Sequence, residues 1–394
     1  MNTEKKYDIV VAGAGIAGCA AALAAARRGH RTALIERQTL IGGLATSGMI
    51  LHYLPLCDGC GHQVTFGLAE ELLKRSLQFS PFDLPVCWGG SGQKTTSRPD
   101  RYEALFSPAG FVLALDEVLL KAGVDLWLDT QIGQVFTDSE NTVQAVEAVN
   151  VSGQTTISAQ CFVDATGSAS IVHGAGGRVE KEENILSVWF MQNCPLPEEN
   201  KRYNLCGNLH IKSLNATWEK VSDNGATSGK NTTAYTRQCW AEIRKYYQES
   251  YSAASDRFTH FPVSLPAMAD FRKIAAAAGK EKITGDDELK RRESSVAIAA
   301  DWRKPGPVWE TPFGALVPEK IRGVFTAGRC IDATGDGWEI FRVIPACAAT
   351  GEAAGIAASL TLEKNCNTHD LAYQDVQQQL RQLNIPLHID EVIQ

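Results

Sequence analysis

The feature that most constrains this chain is a glycine cluster directly after its first strand-like segment. Tyr7-Asp8-Ile9-Val10-Val11-Ala12 is apolar and β-favouring, and it runs straight into Gly13-Ala14-Gly15-Ile16-Ala17-Gly18. Each glycine answers a separate steric demand. The first makes the tight turn, the second lets the backbone approach a pyrophosphate, and the third lets the next helix pack on the strand. Residues 15–28 are alanine-rich and stop at Gly29, and Thr32-Ala33-Leu34-Ile35-Glu36 reads as a second strand. This is a strand–helix–strand unit of about 30 residues, the mononucleotide-binding half of a doubly wound sheet. A diphosphate would sit at the helix N-terminus, where unpaired amides and the dipole favour anions. Glu36 ends the second strand, where a carboxylate accepts both ribose hydroxyls and disfavours a 2′-phosphate.

The 394 residues exceed one ordinary core and suffice for two lobes of roughly 100–200 residues each. The spacing of elements predicts an α/β fold. A discontinuous Rossmann-type dinucleotide-binding domain (1–180 and 305–365) encloses a smaller α+β substrate or cap lobe (181–304), and a polar tail (366–394) follows. In the first lobe, helices are expected over 63–77 and 108–122, with a small antiparallel meander between parallel strands over 124–163. Residues 80–100 read as a covering loop. The second lobe is richer in Trp and Tyr, and an alanine-rich helix is expected over 272–279.

Charge narrows the partners. A formal net charge of −7 argues against wrapping nucleic acid or sitting on anionic lipid, both of which need a basic face. No apolar run reaches the roughly 18 residues of a membrane span, and the N-terminus lacks the pattern of a signal peptide. The expectation is a cytoplasmic protein with a small-molecule substrate, no nucleic acid and no membrane; the oligomeric state is left open. In that compartment its 11 cysteines read mostly as free thiols.

The first motif resembles that of the glutathione-reductase-type FAD proteins: GxGxxG, spaced alanines, a glycine, then an acidic residue. Three further segments resemble the bacterial FAD-dependent oxidoreductases. They are Gly42-Gly43-Leu44-Ala45-Thr46-Ser47-Gly48, Phe162-Val163-Asp164-Ala165-Thr166-Gly167, and Thr326-Ala327-Gly328-Arg329-Cys330-Ile331 with Arg342-Val343-Ile344-Pro345. The resemblance covers about residues 5–80, 105–180 and 305–361, and it implies FAD as cofactor. It assigns Gly13, Ala14, Gly15, Ile16, Ala17, Gly18, Glu36 and Arg37 to the adenosine diphosphate, and Gly42, Gly43, Leu44, Ala45 and Thr46 to a loop along the flavin. It also assigns Val135, Ala165, Thr166, Gly167, Gly328, Arg329 and Ile344 to the cofactor, and Asp332 to the ribityl chain. Two departures stand out: Gly335 occupies a place where many relatives carry His, and the C-terminal segment lacks their Gly-Asp pair.

Several residues bear on chemistry. A flavin oxidising a C–H bond needs a base, which His or Tyr supplies, and an Arg can clamp a carboxylate. His52, Tyr53, His62, Arg98, Arg272 and Arg342 are the candidates; His52 and Tyr53 follow the flavin loop closely, and Arg342 precedes a helix that would aim its N-terminus at the flavin. Cys57-Asp58-Gly59-Cys60-Gly61-His62 reads as ordinary loop thiols, a redox dithiol or a partial zinc site, with the first preferred and no metal expected. Gly225-Ala-Thr-Ser-Gly-Lys230 is one residue short of a phosphate loop. No second GxGxxG follows a strand. The expected reaction is hydride transfer between a small organic substrate and flavin N5. The alternatives are reduction of an activated C=C bond, or a biosynthetic or RNA-modifying flavoprotein.

Overall fold

The apolar run at the N-terminus becomes strand β1 (Thr3–Ala12), in which Ile9, Val10, Val11 and Ala12 are wholly shielded from solvent. Such continuous burial requires cover on both faces of a sheet. In the computed structural model, which describes residues 3–95, 98, 100–182, 184–195, 203–217, 228–253 and 256–393, helices and loops supply that cover. Helix α1 (Ile16–Arg27) leads to β2 (Thr32–Ile35), which pairs parallel with β1. A short ladder joins β3 (His52–Tyr53) to β4 (Ala104–Leu105), and helices α2 (Leu68–Ser76) and α3 (Pro108–Lys121) flank β4 in sequence. Ser107 caps α3 by accepting the Gly110 N–H, with Pro108 fitting the first turn.

β5 (Asp125–Trp127) adds parallel to β2, and the meander β6 (Gln131–Thr137), β7 (Val143–Asn150) and β8 (Gly153–Asp164) follows. β8 has two roles. Its first half pairs antiparallel with β7, and its end, Phe162–Asp164, pairs parallel with β17 (Val324–Thr326); β1 runs parallel along its other edge. The sheet order is β5-β2-β1-β8-β7-β6, with β17 also on β8. Short helix α4 (Ser170–Gly174) follows β8.

The second lobe is an antiparallel sheet of order β11-β12-β10-β13, built from β10 (Leu186–Asn193), β11 (Asn204–Cys206), β12 (Leu209–Ala216) and β13 (Phe261–Ser264). Helix α5 (Gly229–Ser252) lies on it through Tyr235, Cys239, Ile243 and Tyr247, a stripe of i, i+4 spacing that packs with Leu186, Val188 and Phe190. Gly225 to Thr227 of the loop-like motif lie outside the described residues; Ser228 caps α5 by accepting the Asn231 N–H.

The chain then returns to the first lobe sooner than its composition suggests. The alanine-rich stretch expected as a helix over 272–279 instead carries β14 (Ala276–Ala277), paired with β9 (Val179–Glu180). Ala275 to Ala278 are buried, and that packing overrides the intrinsic helix preference of alanine. Hairpin β15 (Ser295–Ala300) and β16 (Val308–Pro312) also belongs here, since Val296, Ala299 and Trp309 join the first lobe's core. The antiparallel lobe thus ends well before residue 304. The first expected helix is also shorter, starting at Leu68 rather than 63.

Helices α6 (Gly335–Phe341), α7 (Ile344–Glu363) and α8 (Tyr373–Gln382) complete the chain. α7 is apolar on every side because it runs through the core. Gly351 and Gly355 press on α1, where a Cβ would stand 2.2 Å from Ala17 O and 2.3 Å from Ala21 O. Small residues on both helices permit that approach. No single helix among the described residues is long and apolar enough to cross a membrane.

Candidate active site

The glycine turn builds the first compartment. Gly13 has φ +89°, and a Cβ there would meet Ala165 O at 2.7 Å. A Cβ on Gly18 would stand 1.8 Å from Gly13 O, so the third glycine is demanded by helix–strand packing. Gly15 differs: a Cβ there meets nothing within 4 Å, because its face opens into a cleft. Gly15 is also the N-cap of α1 and brings no side chain to the helix's first amides. The cleft is lined by Gly13, Gly15, Ile16 and Ala17, by Glu36 and Arg37, by Gly42, Gly43, Leu44 and Ala45, and by Ala165, Thr166 and Gly167. Arg329, Arg342 and Ile344 line it as well.

Glu36 is buried and already anchored. Its Oε2 accepts the Ala14 N–H at 2.7 Å and its Oε1 the Gln38 N–H at 3.0 Å. Burial raises its pKa while those amides pull it down. Each carboxylate oxygen keeps a free lone pair for a ribose hydroxyl. The open Gly15 face, the uncapped helix start and the anchored carboxylate fit FAD.

Other expected cofactor residues support the cleft from behind. Ala14 holds Glu36, and Thr46 donates its hydroxyl to Ile41 O. Gly328, at φ +63°, lies where a Cβ would press on Ala17 and Cys347. Two lie elsewhere. Val135 sits within β6 opposite Val146 and packs in the meander core, so the cleft receives Thr130, Gln131 and Ile132 from the strand's start instead. Asp332 turns away: its Oδ2 accepts the Gly279 N–H at 2.8 Å and its Oδ1 lies 3.5 Å from Lys282 Nζ. Residues not foreseen at the cleft include Gln38, Met268 and Cys347.

A second cavity of about 730 Å³ lies between the lobes and shares Arg342 with the cleft. His52 enters it from β3, and alternation along that strand sends Tyr53 to the opposite side. Tyr53 is fully buried and donates its hydroxyl to Ala69 O at 2.6 Å, which corrects its expected catalytic role. Nε2 of His52 approaches Glu103 Oε1 at 3.3 Å without the alignment of a hydrogen bond. Glu103 is completely buried and bonded by Arg98 through Nε at 2.9 Å and through Nη2. Burial pushes its carboxyl up, but His52 and Arg98 outweigh this and hold it below the usual range. Sequence reasoning missed Glu103; the signal was a carboxylate directly before the apolar run Ala104-Leu105-Phe106.

Arg342 pairs with Glu339 and lies 5.8 Å from the centre of the Trp302 ring. Arg272 also lines the cavity, and its Nη2 donates to Ser187 Oγ at 3.2 Å. His62 is remote, half-exposed and paired with Asp58 at 2.8 Å. Cys57 is buried with its sulfur accepting the Tyr102 N–H, whereas Cys60 is exposed. Among the described residues no three His, Cys, Asp or Glu side chains cluster as metal ligands.

A family model described as FAD dependent oxidoreductase matches residues 8–262 and 277–380. Among solved structures, a geranylgeranyl bacteriochlorophyll reductase-like protein from Thermoplasma acidophilum is 14% identical and superposes with a TM-score of 0.52, covering 98% of this chain and 85% of that one. A p-nitrophenol 4-monooxygenase from Pseudomonas putida is 13% identical with a TM-score of 0.49, covering 96% and 84%. Among curated proteins, a tRNA uridine 5-carboxymethylaminomethyl modification enzyme from Geobacter sulfurreducens is 49% identical over 60 residues, 13% of this chain and 10% of that enzyme. The glutathione-reductase-type resemblance is corrected by these findings. The fold shared across 98% of the chain is that of the reductase-like protein, and the second lobe is an antiparallel sheet under one helix rather than another dinucleotide-binding unit. The glycine motif misled because flavoproteins of different overall architecture share it. The chain binds FAD and is an enzyme of the FAD dependent oxidoreductase family.

Proposed function

We propose that this chain is a biosynthetic flavoenzyme that transforms a small organic substrate held in the interlobe cavity. The observation that carries this reading is Arg342, which lines both the nucleotide cleft and the cavity, so the two compartments meet. FAD, when bound, supplies the two-electron exchange with the substrate. The protein supplies position and proton transfer. His52 gives a proton to the substrate or takes one from it, and Glu103, 3.3 Å away, positions the ring. Arg98 keeps Glu103 ionised. Arg342 and the N-terminus of α7 bring positive charge to the cleft, which would stabilise a reduced flavin held there.

The original expectation of hydride transfer to flavin N5 stays within this reading as one of its forms. A second form is reduction of an activated C=C bond. The tRNA-modifying relative matches over a tenth of its own length, and RNA modification draws no support from so short a span. The test is an anaerobic panel of hydroxy acids, amino acids, sugars and enoates, read from the flavin's visible band. Bleaching by a reduced substrate, or recolouring of reduced enzyme by an enoate, is expected. No response from any small molecule, with turnover found only on tRNA, would overturn the reading.

A further inference from the structure

We propose that the interlobe cavity is built for an organic acid, a carboxylate carried on a planar apolar body. This rests on reading the cavity as the substrate site. The charged side chains that line it are Arg98, Arg272, Lys273, Arg303 and Arg342 against Glu339 alone. Four of the five cations are held by carboxylates of the protein. Arg98 is bonded to Glu103, Lys273 to Glu182 and Glu339, Arg303 to Asp301 and Asp336, and Arg342 to Glu339.

Arg272 is the exception. Among the described residues it has no carboxylate within ion-pair distance, and its side chain makes one hydrogen bond, to Ser187 Oγ. A guanidinium presents five donors in a fixed fork, so most of that fork is left for a ligand. A partly buried charge without a hydrogen-bonded carboxylate partner is costly, and a bidentate carboxylate removes the cost. Burial pulls Arg272 down to about 10, opposed by the field of Asp270, so it stays protonated at neutral pH. Asp270 acts on it through its field and forms no ion pair with it. Burial raises that carboxyl to about 7, against the fields of Arg272 and Arg329, and its Oδ1 has no hydrogen-bond partner.

The remaining lining sets the body of the ligand. Trp189, Tyr203 and Trp302 present aromatic surface to the cavity, with Trp189 and Tyr203 ring centres 5.0 Å apart. Flat unsaturated ligands stack on such faces. The cavity therefore pairs a cationic anchor with aromatic lining.

The test uses the FAD-loaded enzyme with cinnamate and cinnamamide, which share shape and differ in charge. Binding is followed by tryptophan fluorescence and by the flavin's visible band. Cinnamate should bind at least about tenfold more tightly than the amide, a difference set by one charge-assisted hydrogen-bonded pair. Arg272→Gln should erase that preference with FAD content unchanged, and Arg272→Lys should keep part of it. Equal binding of acid and amide, an unchanged preference in Arg272→Gln, or no binding of cinnamate would overturn the proposal. The two readings fail separately. If both probes perturb the flavin band regardless of charge, the acid proposal falls and the substrate site stands. If cinnamate binds through Arg272 without touching the flavin band, the anion site stands and the proposed function falls.

Discussion

The nucleotide cleft and the interlobe cavity meet at Arg342 yet are made of different material. The cleft is built around backbone groups: a glycine turn, helix amides, and one carboxylate fixed by two N–H groups. The cavity is mostly side chains, drawn from short segments near residues 52, 98, 187, 272, 302 and 342. A backbone site tolerates almost no change at its close contacts. A side-chain site can be altered one group at a time, and its chemistry altered with it. Substitutions in the two regions should therefore fail in different ways.

The largest effect is expected at Gly18. Gly18→Ala places a Cβ against Gly13 O, so the protein should purify without bound FAD or fail to fold, as read by absorbance and circular dichroism. Normal FAD content in this variant would break the claim that the cleft is set by backbone contact.

A buried carboxylate beside α2 gives the next effect, on stability. Glu352 accepts the Leu68 N–H at 2.7 Å, and burial raises its pKa to about 7, against that bond and the field of Arg27. A raised folded pKa means the folded state holds the proton more tightly than the unfolded one. Stability from this group is thus full below the ordinary glutamate range and is lost as pH rises through about 7. The shift corresponds to about 3 kcal/mol. Glu352→Gln should flatten the fall in denaturant-derived stability across that window; an unchanged slope would assign the pH dependence elsewhere.

Glu36→Ala should weaken FAD binding by about 1–3 kcal/mol, because it removes a charge-assisted acceptor and strands the Ala14 and Gln38 amides. An unchanged dissociation constant in flavin fluorescence titrations would place the ribose elsewhere.

On the cavity side, Glu103→Gln should keep FAD and lower turnover about tenfold to a hundredfold. A positioning role also requires the pH–rate profile to move. Loss of rate with an unmoved profile would reduce Glu103 to a structural partner.

The same contrast explains what could be read in advance. The cleft was legible because backbone geometry forces glycine at fixed spacings, and Glu36 falls at the end of the second strand for the same reason. Tyr53 was misplaced because a two-residue strand alternates its faces, and adjacency to His52 said nothing of which side each takes. Asp332 looked like a cofactor ligand from its place after Gly328, but the Gly279 amide claims it. The helix expected at 272–279 failed because alanine fits any tightly packed segment, here strand and irregular chain alike. The Glu103–His52 contact and the exceptional position of Arg272 depend on which distant segments meet, and no local spacing encodes that.

The central claim is that cleft and cavity form one reaction site with His52 as its proton-handling group. It is tested most directly by the anaerobic reaction of bound flavin with substrate in His52→Ala, followed by stopped-flow absorbance. The account predicts a rate of flavin change about 10²–10⁴-fold below wild type, with FAD content and substrate affinity close to unchanged. A rate equal to wild type, at equal FAD content, would contradict it.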